Sequence, residues 1–484
     1  MSVAYQTVIG LEIHTQLKTQ SKMFCSCANI YGTEPNSETC PVCLGFPGAL
    51  PAINQEAVGM AVRLGLALEA EITPESLFYR KHYFYPDLPK GFQITQGPRA
   101  VIERGKVVIA GDTSVRGNAE PITVGIERAH LEEDSGKSQH NDRYQASLVD
   151  LNRAGVPLLE IVSAPDLASP QEAYDYLKTM HQLVTSLGIC DGNMEEGSFR
   201  CDANVSVRPL GQAHYGVRVE IKNLNSFRYV KQALEYEVKR HTQLYETGQT
   251  PAQETRGWDS QTNQTHSQRS KEAVMDYRYF PEPDLPPLVV TPQDIEDARR
   301  LLPELPQARA ARYRRDYQLS EYDSEMLVSS PSFSEYFEDL IAARVAPKSA
   351  CTWMLGEMSR LLNEQNIDIT ALGLSPDRLS ELIHLVDEGV VTRSSAKENV
   401  LPKLLGSDLS PKDIVAREGL VQVSDVTTIR ALVEEVLSSS PQQLAQYRAG
   451  KLSLKGYFVG QVMKKGKGQL NAAAVNNLLD EILK

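Results

Sequence analysis

Long apolar runs are missing from this chain of 484 residues. No stretch approaches the roughly 18 consecutive apolar residues that cross a bilayer. Residues 1–10 also lack the basic and then apolar pattern of a secretion signal. Glycine (31 residues) and proline (27 residues) are too scarce for a collagen-like or generally disordered chain. We therefore expect a folded cytoplasmic protein without a membrane partner.

Positive charge is also in short supply. The 50 basic residues are outnumbered by 62 acidic residues, which gives a formal net charge of −12. This excludes a protein that coats nucleic acid with its whole surface, although it leaves room for a local basic patch. The sequence also lacks a complete P-loop, the glycine fingerprint of dinucleotide-binding domains, the zinc-protease motif and the Gly-x-Ser-x-Gly motif of hydrolases.

Cysteine is scarce as well, but four of the seven cysteines lie close together. Cys25 and Cys27 form one pair, and Cys40 and Cys43 form the other. In a reducing compartment, such a cluster indicates metal binding before it indicates disulfides. Four thiolates complete a tetrahedral Zn²⁺ site and leave no open position. We therefore predict a structural zinc knuckle over 25–43, with buried reduced thiols as the alternative.

The order of the sequence patterns predicts an α+β fold. A large cradle domain over 1–292 combines strand-like alternation with helical patterns at 54–68, 169–187 and 226–246. Four prolines within 281–287 mark a linker or a rigid domain edge. Beyond them, segments rich in Ala, Arg, Leu and Glu predict an all-helical domain over 293–408 and a small helical tail domain over 409–484.

Several predicted strands carry chemically active side chains along one face, because alternate residues of a strand point the same way. These side chains are Glu12, His14, Arg200, Asp202, Asn204 and Glu220. An antiparallel sheet with one solvated face is the simple explanation. However, Asp, Asn, His and Arg are groups that bind metals and phosphates. The turn Glu132-Glu133-Asp134, with Lys137 close behind, extends the set, and a Mg²⁺-nucleotide cleft is the second interpretation.

The C-terminal segment 451–484 is locally basic within this acidic chain. It holds six lysines and two acidic residues. Lysines mixed with glycine and aromatic residues are typical of contacts with a nucleic-acid backbone. A solvated helix end, where lysine is favoured by the helix dipole, explains them equally well.

Six separated motifs resemble the B subunit of the tRNA-dependent amidotransferase family. They occur in the family's order and cover essentially the whole chain. They are Val8–His14, Lys81–Asp87, His130–Lys137, Asp150–Val162, Glu195–Asn204 and Glu220–Ser226. The family's layout, a cradle, a helical domain and a small tail that touches tRNA, agrees with the boundaries given above.

The resemblance implies a ligase of protein biosynthesis. It would phosphorylate the side-chain carboxylate of Glu-tRNA(Gln), Asp-tRNA(Asn) or both with ATP, and then replace the phosphate by ammonia. Ammonia would come from a partner glutaminase (amidase) subunit, and a small third subunit would complete a heterotrimer. The cofactors implied are Mg²⁺ and, in some members, structural Zn²⁺.

The resemblance also assigns residues. Five would be catalytic: Glu12, His14, Glu133, Asp202 and Glu220. The Mg²⁺ set would be Glu12, His14, Glu132, Glu133, Asp202 and Glu220. Phosphate or substrate contacts would come from Lys81, Lys137, Arg200 and Asn204. The tRNA contacts would come from Lys455, Lys464, Lys465 and Lys467. Whether His14 ligates the metal or orients a carboxylate stays open.

A competing hypothesis is a non-catalytic, zinc-stabilised RNA-binding protein whose acidic strands are only a solvated sheet face. Under that hypothesis, Glu220→Gln and Asp202→Asn change almost nothing. Under the enzymatic hypothesis, they abolish ATP-dependent amidation and leave folding and tRNA binding largely intact.

Overall fold

The computed structural model describes residues 4–118, 120–141, 145–270, 277–422, 425–466 and 470–483. The chain divides into two compact units, Met1–Pro306 and Gln307–Lys484. None of the described helices is both long enough and apolar enough to cross a bilayer.

The first unit contains all of the described strands. In chain order they are β1 (Tyr5–Gln16), β2 (Glu71–Ile72), β3 (Glu75–Ser76), β4 (Phe78–His82), β5 (Phe92–Gln96), β6 (Ile102–Ala110), β7 (Pro121–Glu133), β8 (Lys137–Asn141), β9 (Ala146–Asp150), β10 (Pro157–Ser163), β11 (Phe199–Pro209), β12 (Val219–Leu224), β13 (Glu254–Asp259), β14 (Gln264–Ser270), β15 (Tyr279–Pro281) and β16 (Leu288–Val289).

Among the described residues, twelve strands form one mixed sheet in the order β14-β13-β12-β11-β1-β10-β7-β5-β4-β15, with β6 paired to β7 and β2 paired to β6. The pair β12–β13 is parallel, whereas β1 pairs antiparallel with both of its neighbours. Two small sheets, β8–β9 and β3–β16, complete the unit. The central position of β1 places its polar face in the middle of the large sheet.

The helices of the first unit are α1 (Gln55–Ala67), α2 (Thr113–Arg116), α3 (Pro170–Ser186), α4 (Phe227–Glu246) and α5 (Pro292–Arg300). The predicted helices over 54–68, 169–187 and 226–246 are confirmed as α1, α3 and α4. Ser169 and Ser226 begin α3 and α4 by accepting a backbone N–H from the first turn. One hydrophobic core joins these helices to the inner residues of β1, which are Ile9, Leu11 and Ile13.

The first unit extends past residue 292. The proline-rich segment contributes β15 and β16 and therefore forms an edge of the unit. Helix α5 then packs Ala298 and Ile295 into the same core as β1, because its apolar residues recur on one face.

The second unit is helical. Its elements are α6 (Pro306–Tyr317), α7 (Glu321–Leu327), α8 (Pro331–Ala342), α9 (Pro347–Trp353), α10 (Ser359–Gln365), α11 (Pro376–Asp387), α12 (Arg393–Ser395), α13 (Leu401–Leu405), α14 (Pro411–Arg417), α15 (Val426–Ser439), α16 (Pro441–Arg448), α17 (Leu454–Lys465) and α18 (Ala472–Ile482), with π-helical turns at Met354–Met358 and Ala396–Val400 and a 3-10 turn at Ile369–Ala371. Together, the two units confirm the α+β class.

Two hydrophobic clusters stabilise the second unit. The first runs from Ala310 to Leu420, and the second runs from Ile429 to Leu483. Helix α14 buries Ile414 and Val415 in the first cluster. The break between the clusters therefore lies later along the chain than residue 409. The division into three domains stays a prediction.

Candidate active site on the polar face of the sheet

Four strands bring a row of charged side chains together across the middle of the sheet. The register pairs Glu160 of β10 with His14 of β1 on one side and with His130 of β7 on the other. His14 in turn lies opposite Arg200 of β11. Directly paired residues have their side chains on the same face, so the row runs His130, Glu160, His14, Arg200.

A compact group of possible metal ligands combines two residues of this row, His14 and Glu160, with Glu132. One ligand atom each from His14, Glu132 and Glu160 lies within 4.8 Å of the others. His14 Nε2 is 3.3 Å from a Glu160 carboxylate oxygen, and His130 Nε2 is 3.6 Å from both Glu132 and Glu160. Two carboxylates and an imidazole are a ligand set that divalent cations use.

The electrostatics of the group couple Glu160 to its neighbours. Burial acts to raise the pKa of Glu160, but the hydrogen bond with His14 and the charges of His130, His14 and Lys81 outweigh it and lower the pKa to about 2. Burial acts to lower the pKa of His14, and Glu160 and Glu132 raise it overall. Glu160 is therefore an anion at neutral pH, as a metal ligand requires.

A second carboxylate group lies beside the first on the same face. Glu12 pairs with Asp202, and Asn204 pairs with Glu220 in the strand register. Asn204 donates a 3.0 Å hydrogen bond to Glu12. Lys222 reaches Asp202 at 2.9 Å and Glu220 at 3.2 Å. The structure therefore brings together four of the side chains predicted from the alternation of β1, β11 and β12.

Negative charge is in excess at this second group. Burial raises the pKa of Glu12, and the charges of Glu160, Glu220 and Asp202 raise it further, with His14 opposing them. A raised carboxyl pKa among other carboxylates indicates repulsion that a bound cation would relieve.

Glu133 is not part of either group. Glu132 and Glu133 are consecutive residues at the end of β7, so they point to opposite faces of the sheet. Glu133 is buried, forms an ion pair with Lys90 and accepts the backbone N–H of Ile94 at 2.9 Å. The predicted metal ligands thus divide between two faces.

Three of the four predicted phosphate- or substrate-binding residues, Lys81, Arg200 and Asn204, lie at the two groups, whereas Lys137 does not. Arg200 donates to Asp134 at 2.7 Å, and Asp134 also accepts from Gln16 at 2.8 Å. Lys137 is exposed on the small β8–β9 sheet. Lys81 borders the metal-ligand group, where its charge acts on Glu160.

A cavity of about 420 Å³ opens next to the metal-ligand group. Its wall includes the anions Glu132 and Glu160, together with His130 and the cations Lys81 and Arg128. The rings of Tyr79 and Tyr279 also line it. The combination of anionic ligands, cations and aromatic rings suits a metal-bound phosphate compound that also carries a flat ring.

The four clustered cysteines lie in the same unit, and the structure brings them together. Their Sγ atoms all lie within 4.8 Å of one another, and the Cys40 and Cys43 sulfurs are 3.9 Å apart. A tetrahedron with metal–sulfur bonds of about 2.3 Å has edges of about 3.8 Å. The cluster therefore fits a metal ion.

Two family models and several curated proteins match this chain. Residues 7–296 match the family model described as "GatB/GatE catalytic domain", and residues 335–483 match the one described as "GatB domain". A protein of Geobacter sulfurreducens is 50% identical over 99% of this chain and 99% of its own length. One of Myxococcus xanthus is 50% identical over 99% and 98%, and one of Thermodesulfovibrio yellowstonii is 48% identical over 99% of each. All three are named as the B subunit of aspartyl/glutamyl-tRNA(Asn/Gln) amidotransferase.

This chain belongs to the GatB family. The resemblance seen in the six motifs is thereby confirmed. The polar face described above falls entirely within the catalytic-domain match, and the basic tail falls within the second match.

The tail lysines lie on helix α17 of the GatB domain or just after it. Lys464 and Lys465 are exposed in its last turn, where the helix dipole favours cations. Lys455 pairs with Asp480 at 2.6 Å, and Lys465 pairs with Glu435. Lys467 lies outside the described residues.

Sequence reasoning missed Glu160 and His130 as site residues, although both stand inside quoted motifs. Glu160 is the one charged residue of strand Pro157–Ser163, whose other side chains are buried. A lone carboxylate within an apolar strand is the signal that could have identified it.

Proposed function

We propose that this chain is the kinase and transamidase subunit of a tRNA-dependent amidotransferase. Its substrates would be ATP, ammonia and tRNA misacylated with glutamate or aspartate, that is Glu-tRNA(Gln), Asp-tRNA(Asn) or both. The observation that carries the proposal is the joint placement of His14, Glu132 and Glu160 beside a cavity bordered by Lys81 and Arg128.

The chemistry requires activation of an inert group. A side-chain carboxylate does not react with ammonia because oxide is a poor leaving group. Transfer of the γ-phosphoryl group from ATP to a carboxylate oxygen releases ADP and forms an acyl phosphate. Ammonia then attacks the acyl carbon, the C–O bond to phosphate breaks, and the amide and inorganic phosphate result. The phosphate leaves with one former carboxylate oxygen.

The polar face offers residues for the first step. His14, Glu132 and Glu160 would hold Mg²⁺, with Glu12, Asp202 and Glu220 as a second anionic group within reach of further ions or of metal-bound water. Mg²⁺ supplies charge neutralisation at the transferred phosphoryl group when bound. Lys81 and Arg128 would attract the phosphates, and Asn204 would keep Glu12 in place through its hydrogen bond.

The catalytic role of Glu133 does not follow from this arrangement. Its carboxylate lies on the other face of the sheet and is bound to Lys90. We therefore assign it a structural role. Arg200 would act through Asp134, which it orients, and Lys137 would approach a substrate only from the small sheet.

The proposed function also involves a zinc site, partner subunits and tRNA contacts. The cysteine cluster would hold structural Zn²⁺, since four sulfurs leave no open position for a substrate. Ammonia would come from a glutaminase (amidase) subunit, while a small third subunit would complete the heterotrimer in the cytoplasm. The exposed lysines of α17 would contact the tRNA backbone.

The test follows ADP release by the chain assembled with its partner proteins, in the presence of Mg-ATP and ammonium, with and without Glu-tRNA(Gln). We expect release that requires the misacylated tRNA and is lost in Glu220→Gln and in Asp202→Asn, with unchanged melting temperatures. ADP release that is indifferent to the tRNA and to both substitutions would move the chemistry to a partner protein and leave this chain as a tRNA-binding scaffold.

A further inference from the structure

A lysine is completely buried beside the cysteine cluster. Lys22 has 0% of its surface exposed. Its Nζ donates to the carbonyl oxygen of Glu38 at 2.7 Å and to that of Leu151 at 3.4 Å, and it lies 3.9 Å from Cys43 Sγ. Its backbone N–H donates to the carbonyl oxygen of Cys27 at 3.0 Å. The side chain thus ends at the cysteine cluster.

Burial of an ammonium group is costly unless an anion compensates it. Within the described residues, no carboxylate forms a salt bridge with Lys22. Glu133, which like the stem of Lys22 lies beside Gly155, is bound to Lys90. The two carbonyl oxygens supply dipoles but no net charge. The anions available to Lys22 are therefore the sulfurs of the cluster.

A cysteine cluster that holds a metal ion carries a net negative charge, opposite to the positive charge of Lys22. Four thiolates around a divalent cation carry a net charge of −2, and a site of this charge needs donors in its surroundings. Cys43 is the most buried of the four cysteines. Its sulfur already accepts the backbone N–H of Cys40 at 3.2 Å. The ammonium of Lys22 would reduce the net charge of the centre to −1.

We propose that Lys22 is the fixed counter-charge of the four-cysteine centre, and that it sets how tightly this centre holds a divalent tetrathiolate-bound metal. The proposal rests on the metal-binding role of the cluster and is independent of phosphoryl transfer on the other face. Lys22 is a positioning residue, since it acts on the metal through Cys43.

The same side chain links the centre to the segment that leads into β10. Leu151, whose carbonyl oxygen accepts from Lys22, donates its own N–H to Asn36 at 2.8 Å. Asn152 accepts the N–H of Glu38 at 2.8 Å. The loop between the two cysteine pairs and the segment before β10 therefore share one hydrogen-bonded network, with Lys22 at its buried end.

The test measures metal binding by the purified full-length chain. We would titrate it with Co²⁺, whose absorption reports tetrathiolate coordination, and determine the zinc dissociation constant by competition with a chromophoric chelator. We expect Lys22→Met to weaken zinc binding by about 10- to 100-fold, as loss of an outer-shell partner does. Lys22→Arg keeps the positive charge and should weaken zinc binding less than Lys22→Met does.

Lys397→Met is the control, because it removes a half-buried lysine of the second unit that pairs with the carboxylate of Glu357 and not with sulfur. It should lower the melting temperature and leave the zinc dissociation constant unchanged. A zinc dissociation constant of Lys22→Met equal to that of the wild type would overturn the proposal, as would a wild-type chain that gives no tetrathiolate Co²⁺ spectrum.

A second comparison keeps the proposal testable if Lys22→Met alone does not fold. Cys43→Ser removes the sulfur that Lys22 faces and should leave its charge without an anion. The double variant Lys22→Met/Cys43→Ser should then melt at a higher temperature than Cys43→Ser. A double variant that melts at the same or a lower temperature would contradict the counter-charge role.

Discussion

Glu160 belongs both to the metal-ligand group of the candidate site and to the wall of the cavity beside it. It contacts His14 and His130, it lies in the metal-ligand group, and it borders the cavity. Its depressed pKa shows that the protein stabilises its anionic form despite burial. Glu160 is therefore available as an anionic metal ligand at neutral pH.

Replacing this carboxylate by an amide tests its role. We expect Glu160→Gln to reduce tRNA-dependent ADP formation at least about 100-fold, because loss of a direct ligand exceeds the effect of an outer-shell change. ADP formation is measured by a coupled assay at saturating Mg-ATP. Glu127→Gln, an exposed position on neighbouring strand β7, should leave the rate unchanged. Equal rates in both variants would remove Glu160 from the site.

For single residues, the sequence predicts which side chains belong to the site better than it predicts the face of the sheet on which each side chain lies. His14 follows from the alternation of β1, and Glu132 follows from its acidic neighbours. Grouping Glu133 with Glu132 assumes that both carboxylates lie in a turn and can reach the same site. The segment instead ends a 13-residue strand, and a one-residue step along a strand changes the face. Register between strands, which places Glu160 opposite His14, is not contained in any local pattern.

Among the elements, helix α4 holds the outer strands of the sheet through a buried carboxylate. Glu237 is fully buried, accepts a hydrogen bond from Arg240 at 2.7 Å and forms an ion pair with Arg256 of β13 at 3.1 Å. It also accepts from the hydroxyl of Thr265 on β14. Strand β13 in turn carries Thr255, which donates to Glu220 at 2.7 Å. The Glu237 cluster therefore supports one end of the candidate site.

The pH dependence of stability follows from Glu237. Burial alone raises its pKa, but hydrogen bonds from His241, Arg240 and Thr265 lower it to about 2, from the usual 4.5. A carboxyl whose pKa is lower in the folded state stabilises the protein fully above pH 4.5, and this contribution is lost as the pH falls to about 2.

We expect Glu237→Gln to reduce the free energy of unfolding at neutral pH by about 3 kcal/mol, since one pKa unit corresponds to about 1.4 kcal/mol. The difference from the wild type should shrink steadily from about pH 5 towards pH 2. Denaturant unfolding at several pH values measures it, with the exposed Glu235→Gln of the same helix as the control. A difference that does not depend on pH in this range would contradict the account.

A close contact between β4 and the end of β5 shapes the cavity. A Cβ atom at Gly97 would lie 2.1 Å from the ring of Tyr79, so Gly97 allows this ring to lie against the backbone. Gly97→Ala must push the Tyr79 ring towards the cavity. We expect the KM for ATP to rise about tenfold with a smaller change in kcat, because a displacement near 1 Å misplaces the substrate.

The control for this substitution is Gly59→Ala in helix α1, where no atom lies within 4 Å of the added Cβ. It should raise the melting temperature slightly, because alanine favours helix, and leave the KM unchanged. The KM for ATP of both variants is measured by steady-state kinetics. An unchanged KM in Gly97→Ala would remove the cavity from the nucleotide site.

Helices α1, α3 and α4 follow from sequence periodicity, whereas no local pattern indicates that a ring rests on Gly97.

At the scale of the whole molecule, the residues of the proposed function are divided between the two units. The first unit contains the polar face and the cysteine cluster, and the second contains the lysines of α17. Composition predicts the helical character of the second unit, because its segments favour helix throughout. The positions of its two hydrophobic clusters depend on which helices pack together, and sequence patterns alone do not specify this.

The tail is tested by reversing charge at Lys464 and Lys465. We expect the double glutamate variant to bind tRNA more weakly and to reduce the slope of log affinity against log salt by about 2, one for each lost phosphate contact. Lys348→Glu with Lys412→Glu, the same charge change on exposed positions of the first cluster, serves as the control. An equal loss in both pairs would assign the effect to net charge alone.

Phosphoryl transfer by this chain to a tRNA-linked carboxylate, as proposed above, can be followed with an oxygen isotope. The assembled enzyme is given ATP, ammonium and Glu-tRNA(Gln) whose side-chain carboxylate carries ¹⁸O. We predict that each inorganic phosphate released contains one ¹⁸O atom, and that Glu160→Gln releases no labelled phosphate. Unlabelled phosphate from the wild-type enzyme during amide formation would contradict the acyl-phosphate route, and labelled phosphate from Glu160→Gln at the wild-type rate would place the reaction elsewhere.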